Sequence, residues 1–441
     1  MFLLSLIILQ VVFFSLINRQ TLLSPLFIVV FSIFLLTMII SPFMTIIFSS
    51  AYNPLIDIQY QKLFIILNIV LFSWFIGFTL FSKKSQFSFD PVSSNYDLIR
   101  PSYLKFGFFC LISGFAIYCL TYIYVGYSYI EALNNPLQFR FDIIGKTGGY
   151  YLRNFSLWLI YCSLAIFLVH YFDDLKSSIK QKVLLSLVLV FIFFITIPLG
   201  QRSVLLTPLL LGGFILYNQK MISKSQVLYG IIISLFLIGA LGIYRTVAFF
   251  EVSSSQDLSI LYSEIMKTDF RFIFEEIAAR FNNIEWFYLY LSEESYFEES
   301  ISVFESIKNL FISIVPPSFL GGIEKSVDYD TYLTIYFLGS QDFGTYGFTP
   351  MAEWSLIFGK KGYVIMPFIS GSLFAFISNK TRKIKNNMFY LIFISSFIFL
   401  DLVFIQIHAG ATANVIVFLC FNILLFFLYE AFFKPIKQSF T

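Results

Sequence analysis

Long apolar runs separated by short polar segments fill most of this chain. A helix needs roughly 20 mostly apolar residues to cross the hydrocarbon core of a bilayer. Runs near that length recur throughout, so the sequence predicts an all-α integral membrane protein with about eleven transmembrane helices (between ten and twelve). The predicted spans are 2–17, 22–48, 60–81, 104–125, 152–171, 183–199, 203–217, 227–250, 363–378, 388–407 and 411–433.

One long segment, residues 251–361, breaks the apolar pattern. It holds 17 acidic and 7 basic residues, and apolar side chains recur at helical spacing from Ile273 to Tyr288 and from Val303 to Ile314. That spacing predicts amphipathic helices that lie on the membrane surface or cover the helix bundle. The chain is therefore predicted to have three parts: an N-terminal membrane bundle of about eight helices (1–250), one large loop (251–361) and about three C-terminal membrane helices (362–441).

The distribution of basic residues predicts how the bundle is oriented. If the N-terminus faces outward, the predicted inner segments hold 16 Lys and Arg residues and the short outer segments hold 5. Cytoplasmic loops carry an excess of Lys and Arg, and long loops are exempt from this rule. The sequence therefore predicts an outward N-terminus, an inward C-terminus, and an insertion on the outer face of the membrane.

Composition excludes several classes of protein. The chain is 58% hydrophobic and 12% charged, with a mean hydropathy of +0.82. Soluble domains carry about 25% charged residues, which excludes that class. A formal charge of +3 is too small to indicate a surface that binds nucleic acid. The two histidines and four cysteines show no metal-ligand spacing, so neither a metal site nor a cofactor is predicted.

Three ionisable residues at predicted span ends are the first candidates for chemistry. Arg202 lies in a short outer turn between spans six and seven, Arg245 lies near the outer end of span eight, and Glu353 precedes span nine. Such residues cost about 2.5–3.5 kcal/mol to insert at the centre of a bilayer, so they mark function by default. Each residue also has a structural interpretation. Arg202 can be a turn residue, Arg245 can reach the lipid headgroups, and Glu353 can be an acid at a helix N-terminus.

Several guanidinium groups at one membrane depth suit a pyrophosphate, which they bind through paired charge-assisted hydrogen bonds. Arg140 and Arg280 also fall at the predicted outer end of the bundle. Arg280 can equally pair with Glu276, four residues back on the same helix face. The adjacent acids Glu293 and Glu294 are predicted to form a solvated face.

Three short stretches carry a resemblance to a known family. They are Gly200–Leu206 (GQRSVLL) at the start of a span, Ala279–Asn283 (ARFNN) in the insertion, and Thr349-Pro350 with Glu353, Phe358-Gly359 and Gly362 before span nine. In these stretches, and in its length, span count and single large outer loop, the chain resembles the O-antigen polymerase (Wzy) family. Members of that family polymerise the oligosaccharide repeat units of bacterial surface polysaccharides.

The resemblance implies a GT-C-like fold and a multi-pass glycosyltransferase of the bacterial inner membrane, with its active site facing the periplasm. Its substrate would be an oligosaccharide linked to undecaprenyl pyrophosphate, in O-antigen or capsule synthesis, and a chain-length regulator protein is an expected partner beside the bilayer. Arg202 and Arg245 would stabilise the departing pyrophosphate, and Glu353 would deprotonate the attacking hydroxyl, with Asp330 as second choice. The predicted ligands of pyrophosphate and glycan are Arg140, Arg280, Asp330 and Tyr346.

Other membrane functions remain open at this point. An O-antigen ligase is the nearest alternative. The resemblance implies a histidine in the large loop as the base of the related ligases, and the insertion here contains no histidine. A repeat-unit flippase or polysaccharide transporter has a similar span count but does not need an outer insertion of 111 residues. A membrane O-acetyltransferase is expected to carry a histidine near its first span, and none is there.

Overall fold

In the computed structural model, the described residues are 2–17, 58–82, 100–134, 138–139, 142–143, 149–172, 179–196, 283–294, 350–381 and 420–433, with single residues and short groups between 208 and 233 and at 336 and 392. These residues are mostly helical and include no β-strand. The helices of six or more residues are α1 (Phe2–Ile17), α2 (Ile58–Phe81), α3 (Arg100–Val125), α4 (Tyr129–Asn134), α5 (Gly149–Phe172), α6 (Ile179–Thr196), α7 (Asn283–Ser292), α8 (Pro350–Phe358), α9 (Gly362–Thr381) and α10 (Cys420–Phe433).

Three of these helices are long and apolar enough to cross a membrane. They contain the segments Gln61–Phe81, Ser102–Val125 and Leu152–Val169, which belong to α2, α3 and α5. The predicted helical fold is thus confirmed for the part of the chain that the structure describes. The total of about eleven spans and the GT-C-like arrangement stay predictions, since spans such as 22–48 and 388–407 fall largely outside the described residues, as does the predicted helix over 303–314.

The described helices belong to two compact units, and the first contains α1, α2, α7, α8 and α9. In this unit α1 and α2 run in the same direction. Gln10 Nε2 donates a hydrogen bond to Asn68 Oδ1 over 3.1 Å. One turn further along α1 and two turns further along α2, Phe14 stacks on Phe75 with ring centroids 4.1 Å apart. Aromatic packing and one interhelical hydrogen bond therefore fix the register of α1 on α2.

Glycines bring α2 and α9 into close backbone contact. A Cβ atom at Gly77 would collide with the carbonyl oxygen of Phe368, and one at Gly371 would collide with that of Trp74. Small residues allow this approach between apolar helices, where van der Waals packing replaces the hydrophobic effect. Asn379 Nδ2 also donates to the carbonyl oxygen of Phe81 over 2.7 Å. The glycine contacts mark the place where the two helices cross, and the bond from Asn379 to Phe81 joins their C-terminal ends, so α2 and α9 are parallel.

The second unit contains α3, α4, α5, α6 and α10, with α5 at its centre. The side chains from Leu157 to Leu168 are almost completely buried. Gly107 of α3 packs against Phe167, and Gly114 packs against Ile160. The contacts move forward along α3 and backward along α5, so the two helices form an antiparallel pair. The C-terminal end of α3 therefore lies beside the N-terminal end of α5.

Aromatic contacts set the directions of the two remaining long helices of this unit. On α6, Phe191 packs against Phe115 with centroids 5.0 Å apart, and Phe194 lies beyond it at the α4 end. On α10, Phe421 packs against Phe155, 4.5 Å apart, whereas Tyr429 packs against Phe106, 5.2 Å apart. Hence α6 runs parallel to α3, and α10 runs parallel to α5. The last turn of α10, Tyr429–Phe433, is π-helical.

Candidate functional site

Most of the residues predicted from the sequence to act on a substrate lie outside the described residues. These residues are Arg140, Arg202, Arg245, Arg280, Asp330 and Tyr346. Their roles stay predictions. Glu353 is the exception, because its backbone belongs to α8.

Glu353 is the fourth residue of α8, which begins at Pro350. Proline suits the first position of a helix because its missing N–H would have no partner there. The first turn leaves backbone N–H groups without partners inside the helix, and these groups favour a nearby carboxylate. On either side of Glu353, Ala352 and Trp354 are buried. The helix is therefore firmly packed, and its first turn holds the Glu353 backbone in a fixed place within the first unit.

A tight turn joins α8 to α9. Gly359 has φ of +60°, in the left-handed region that favours glycine, and it opens a 3₁₀ turn that ends at Lys361. Gly362 then starts α9, and a Cβ atom there would collide with the carbonyl oxygen of Trp354. Two glycines thus permit the bend that follows the helix of Glu353, which explains why glycine stands at both positions of the sequence.

In the second unit, the most unusual side chain is the buried guanidinium of Arg153. It is the fifth residue of α5 and only 4% exposed. Its Nε and Nη2 both donate hydrogen bonds to Asn154 Oδ1, over 3.1 and 2.8 Å, and Asn154 is also buried. Burying a charge is costly unless hydrogen bonds and other polar groups compensate for it. A charge kept in this position therefore points to a role beyond packing.

Tyrosine hydroxyl groups lie around this end of the antiparallel pair. The guanidinium of Arg153 interacts electrostatically with the hydroxyl groups of Tyr118 on α3 and Tyr161 on α5. The hydroxyl oxygens of Tyr118 and Tyr122 are 3.3 Å apart, within hydrogen-bond distance. The ring of Tyr122 stacks on Phe139, with centroids 4.7 Å apart. We refer to Tyr118, Tyr122, Tyr127 and Tyr129 as the tyrosine cluster.

The tyrosine cluster is tied to the short segment between α4 and α5. The Tyr127 hydroxyl donates to Asp142 Oδ2 over 2.6 Å, and Gln138 Nε2 donates to Asp142 Oδ1 over 3.0 Å. Burial, and then the hydrogen bond to Asp142 and its negative charge, raise the pKa of Tyr127 to about 12. The Tyr129 hydroxyl donates to the carbonyl oxygen of Phe194 over 2.6 Å, which satisfies one terminal carbonyl of α6.

A capping box starts α4 and fixes its position after α3. The backbone N–H of Glu131 donates to Ser128 Oγ over 3.2 Å, and the backbone N–H of Ser128 donates to a carboxylate oxygen of Glu131 over 2.7 Å. The hydrogen bonds from Ser128 lower the pKa of Glu131. Gly126, with φ of +86°, ends α3 just before this box. These local signals place Tyr127 and Tyr129 at the end of the helix pair.

In the first unit, Lys62 of α2 forms an ion pair with Glu294. Lys62 Nζ lies 2.5 Å from Glu294 Oε2, and the two side chains are 40% and 10% exposed. The sequence-based prediction that Glu293 and Glu294 together form a solvated face is wrong for Glu294. The reason is local geometry: Glu293 follows the end of α7 in a turn and points outward, whereas Glu294 is buried on the side of Phe287 and Tyr290.

Sequence analysis missed Arg153 and Glu294 as candidates for function. Arg153 is the second residue of the predicted span 152–171. The consecutive polar residues Arg153 and Asn154 at the start of an apolar run were the available signal. For Glu294 the sequence offered no comparable signal, because an acid at the end of an amphipathic helix is usually solvated.

Comparison of the chain with protein-family models, with curated proteins and with solved structures finds no match. The function of the chain therefore has to be argued from its own residues.

Proposed function

We propose that this protein polymerises lipid-linked oligosaccharide repeat units in a bacterial inner membrane. It would transfer the growing glycan from undecaprenyl pyrophosphate to a sugar hydroxyl of a new lipid-linked unit, in the synthesis of O-antigen or capsule. The observation that carries the proposal is the buried guanidinium of Arg153, which donates hydrogen bonds to the buried Asn154 at one end of two helices that are apolar enough to cross a membrane.

The relative directions of the helices support a multi-span membrane protein. In the first unit α1, α2 and α9 are parallel, and they correspond to predicted spans one, three and nine. In the second unit, α3 and α6 correspond to predicted spans four and six. They run opposite to α5 and α10, which correspond to predicted spans five and eleven. In a chain that crosses a membrane repeatedly, odd and even spans have opposite directions, and each unit obeys this rule.

The chemistry of Arg153 supports a pyrophosphate-bearing substrate. A guanidinium binds phosphate oxygens through paired, directional hydrogen bonds, and it remains charged even when buried. Under the predicted orientation, this end of α3 and α5 faces outward, at the depth at which the pyrophosphate of a lipid-linked substrate lies. Arg202 and Arg245 keep their proposed role in stabilising the departing pyrophosphate.

The proposed reaction is a glycosyl transfer without a cofactor. A bond forms between the anomeric carbon of the growing glycan and the acceptor hydroxyl oxygen, and the bond from that carbon to the pyrophosphate oxygen breaks. The lipid pyrophosphate leaves with the electron pair, and arginines stabilise its charge. The hydroxyl proton passes to a carboxylate, for which Glu353 is the proposed general base.

Deletion of the gene tests this assignment against the ligase alternative. A strain without the polymerase is expected to attach single repeat units to its surface acceptor, because transfer of one unit does not require polymerisation. A strain without a ligase would instead lack all repeats on the acceptor and accumulate polymer on undecaprenyl pyrophosphate. Gel analysis of the surface glycan and of extracted lipid-linked glycan separates the two, and the second pattern would refute the proposal.

A further inference from the structure

The ion pair between Lys62 and Glu294 leaves half of a buried carboxylate unused. Oε2 of Glu294 meets the lysine ammonium group. Oε1 is also buried, yet it accepts no hydrogen bond from any residue that the structure describes. Nearly all buried polar atoms in proteins have a partner, so an oxygen without one calls for an explanation. This oxygen keeps its capacity to accept a hydrogen bond.

A purely structural role explains this arrangement poorly. Leaving a buried acceptor without a partner costs roughly 1–3 kcal/mol, and more for a charged group. The ion pair offsets little of that cost, because the Lys62 side chain is partly exposed and solvent screens its charge. An apolar residue at position 294 would avoid that cost if only packing mattered. The carboxylate is therefore better explained by a ligand that supplies the missing donor.

Other buried oxygen atoms occur on the helices that pack around this pair. The helix that ends just before Glu294, α7, contacts both α2 and α8. On α8, Ser355 Oγ is buried and lacks a hydrogen-bond partner within the described part of the chain. On α7 and α9, Phe287 and Tyr363 form an edge-to-face ring pair with centroids 5.9 Å apart. Hydroxyl and carboxylate oxygens together with aromatic rings suit a ligand that carries many hydroxyl groups.

We propose that Glu294, positioned by Lys62, binds a sugar hydroxyl of the glycan through its buried Oε1, which has no partner among the described residues. This inference rests on the proposed function, and it adds a glycan-binding residue in the first unit that is separate from the proposed base. The hydroxyl donates to Oε1, and the ammonium of Lys62 holds Oε2 and so fixes the orientation of the carboxylate. Glu294 acts in binding, so its loss raises KM and leaves kcat nearly unchanged.

The test uses the purified full-length protein in nanodiscs and the free repeat-unit oligosaccharide, released from its lipid by mild acid. Binding is measured by saturation-transfer NMR and calorimetry, which need no polymerase activity. Glu294→Gln keeps the shape but weakens the acceptor, and binding is expected to fall roughly ten- to hundred-fold. The matched control is Glu293→Gln, at the exposed neighbouring acid, which is expected to bind like the wild type.

Two further measurements separate a binding role from a structural one. The melting temperature of Glu294→Gln is expected to stay the same or to rise, because the substitution removes a buried charge. Lys62→Met is expected to weaken oligosaccharide binding as well, since the carboxylate loses its positioning partner. If Glu294→Gln binds the oligosaccharide as tightly as the wild type, the inference is overturned. If the wild type binds but does not polymerise, the proposed function fails while this inference stands.

Discussion

Arg153 and Tyr118 lie on adjoining antiparallel helices, where the guanidinium charge acts on the phenol hydroxyl. They are 35 positions apart in the sequence, and only the pairing of α3 with α5 brings them together. The same pairing buries Asn154 beside Arg153. A buried positive charge, a side-chain carbonyl and a hydroxyl group thus share one end of the second unit. This relationship carries the proposed function and leads to the first prediction.

Neutralising Arg153 is expected to abolish polymerisation without unfolding the protein. In Asn154→Asp, the new carboxylate keeps the hydrogen bonds from the guanidinium but cancels its charge, so the attraction for pyrophosphate is lost. In Arg153→Lys, a point charge replaces the planar fork and cannot form paired hydrogen bonds. Both variants are expected to lose at least roughly 10- to 100-fold in rate, on the basis of one charge-assisted hydrogen bond.

The measurement is polymer length in a deletion strain that expresses each variant at the wild-type protein level. Asn154→Ser serves as the control, since it leaves the charge intact and keeps a polar acceptor. Normal polymer from Asn154→Asp would mean that Arg153 is only a structural residue.

The glycine contacts between α2 and α9 are expected to be essential for the stability of the first unit. Alanine at Gly77 or Gly371 places a methyl group against a carbonyl oxygen of the facing helix. Overpacking of this kind costs about 1–3 kcal/mol, so the melting temperature of the solubilised protein is expected to fall. Gly213→Ala is the control, because a Cβ atom there meets nothing within 4 Å. Equal melting temperatures for all three variants would contradict the close contact.

The hydrogen bond from Tyr127 to Asp142 predicts a dependence of stability on alkaline pH. The pKa of Tyr127 is raised from 10.0 to about 12 in the folded protein. Its contribution to stability is therefore present below pH 10 and is lost as the pH rises from 10 to 12. The melting temperature of the wild type should exceed that of Tyr127→Phe near neutral pH, and this difference should shrink above pH 10. Tyr124→Phe, at an exposed tyrosine of α3, serves as the control.

Glu353 has two possible roles, and its position in α8 makes them distinguishable. If Glu353 is the general base, Glu353→Gln is expected to lose roughly 10²–10⁴-fold in rate while lipid-linked substrate still binds. If Glu353 only stabilises the N-terminal turn of the helix, the same variant is expected to lose about 0.3–1 kcal/mol of stability and to keep its rate. Single-turnover polymerisation with purified protein measures the rate directly. A rate within a few-fold of the wild type would rule out the role as base.

The sequence predicted the described spans well because few backbone structures are stable inside a bilayer. Backbone groups in hydrocarbon must bond within the helix, so an apolar run near 20 residues becomes a helix. The runs at 60–81, 104–125 and 152–171 accordingly match α2, α3 and α5 within a few residues. The caps also followed local rules, as at Ser128 and Glu131.

The candidate site was harder to predict because it depends on packing between distant segments. In the sequence, Arg153 is a basic residue at the start of a span, as are others in this chain. Only the packing of α3 against α5 buries it. Glu293 and Glu294 are chemically identical neighbours, and only the turn at the end of α7 sends one outward and the other towards Lys62. Composition and spacing contain no information about which face of a helix end is covered by another helix.

Reconstitution tests the central claim most directly. The purified protein is placed in liposomes with lipid-linked repeat units extracted from a strain that lacks this gene, and products are separated by size. A ladder of glycans that lengthens by one repeat unit, with release of undecaprenyl pyrophosphate and loss of the ladder in Asn154→Asp, is the predicted result. Unchanged single units in the presence of folded wild-type protein would contradict the account.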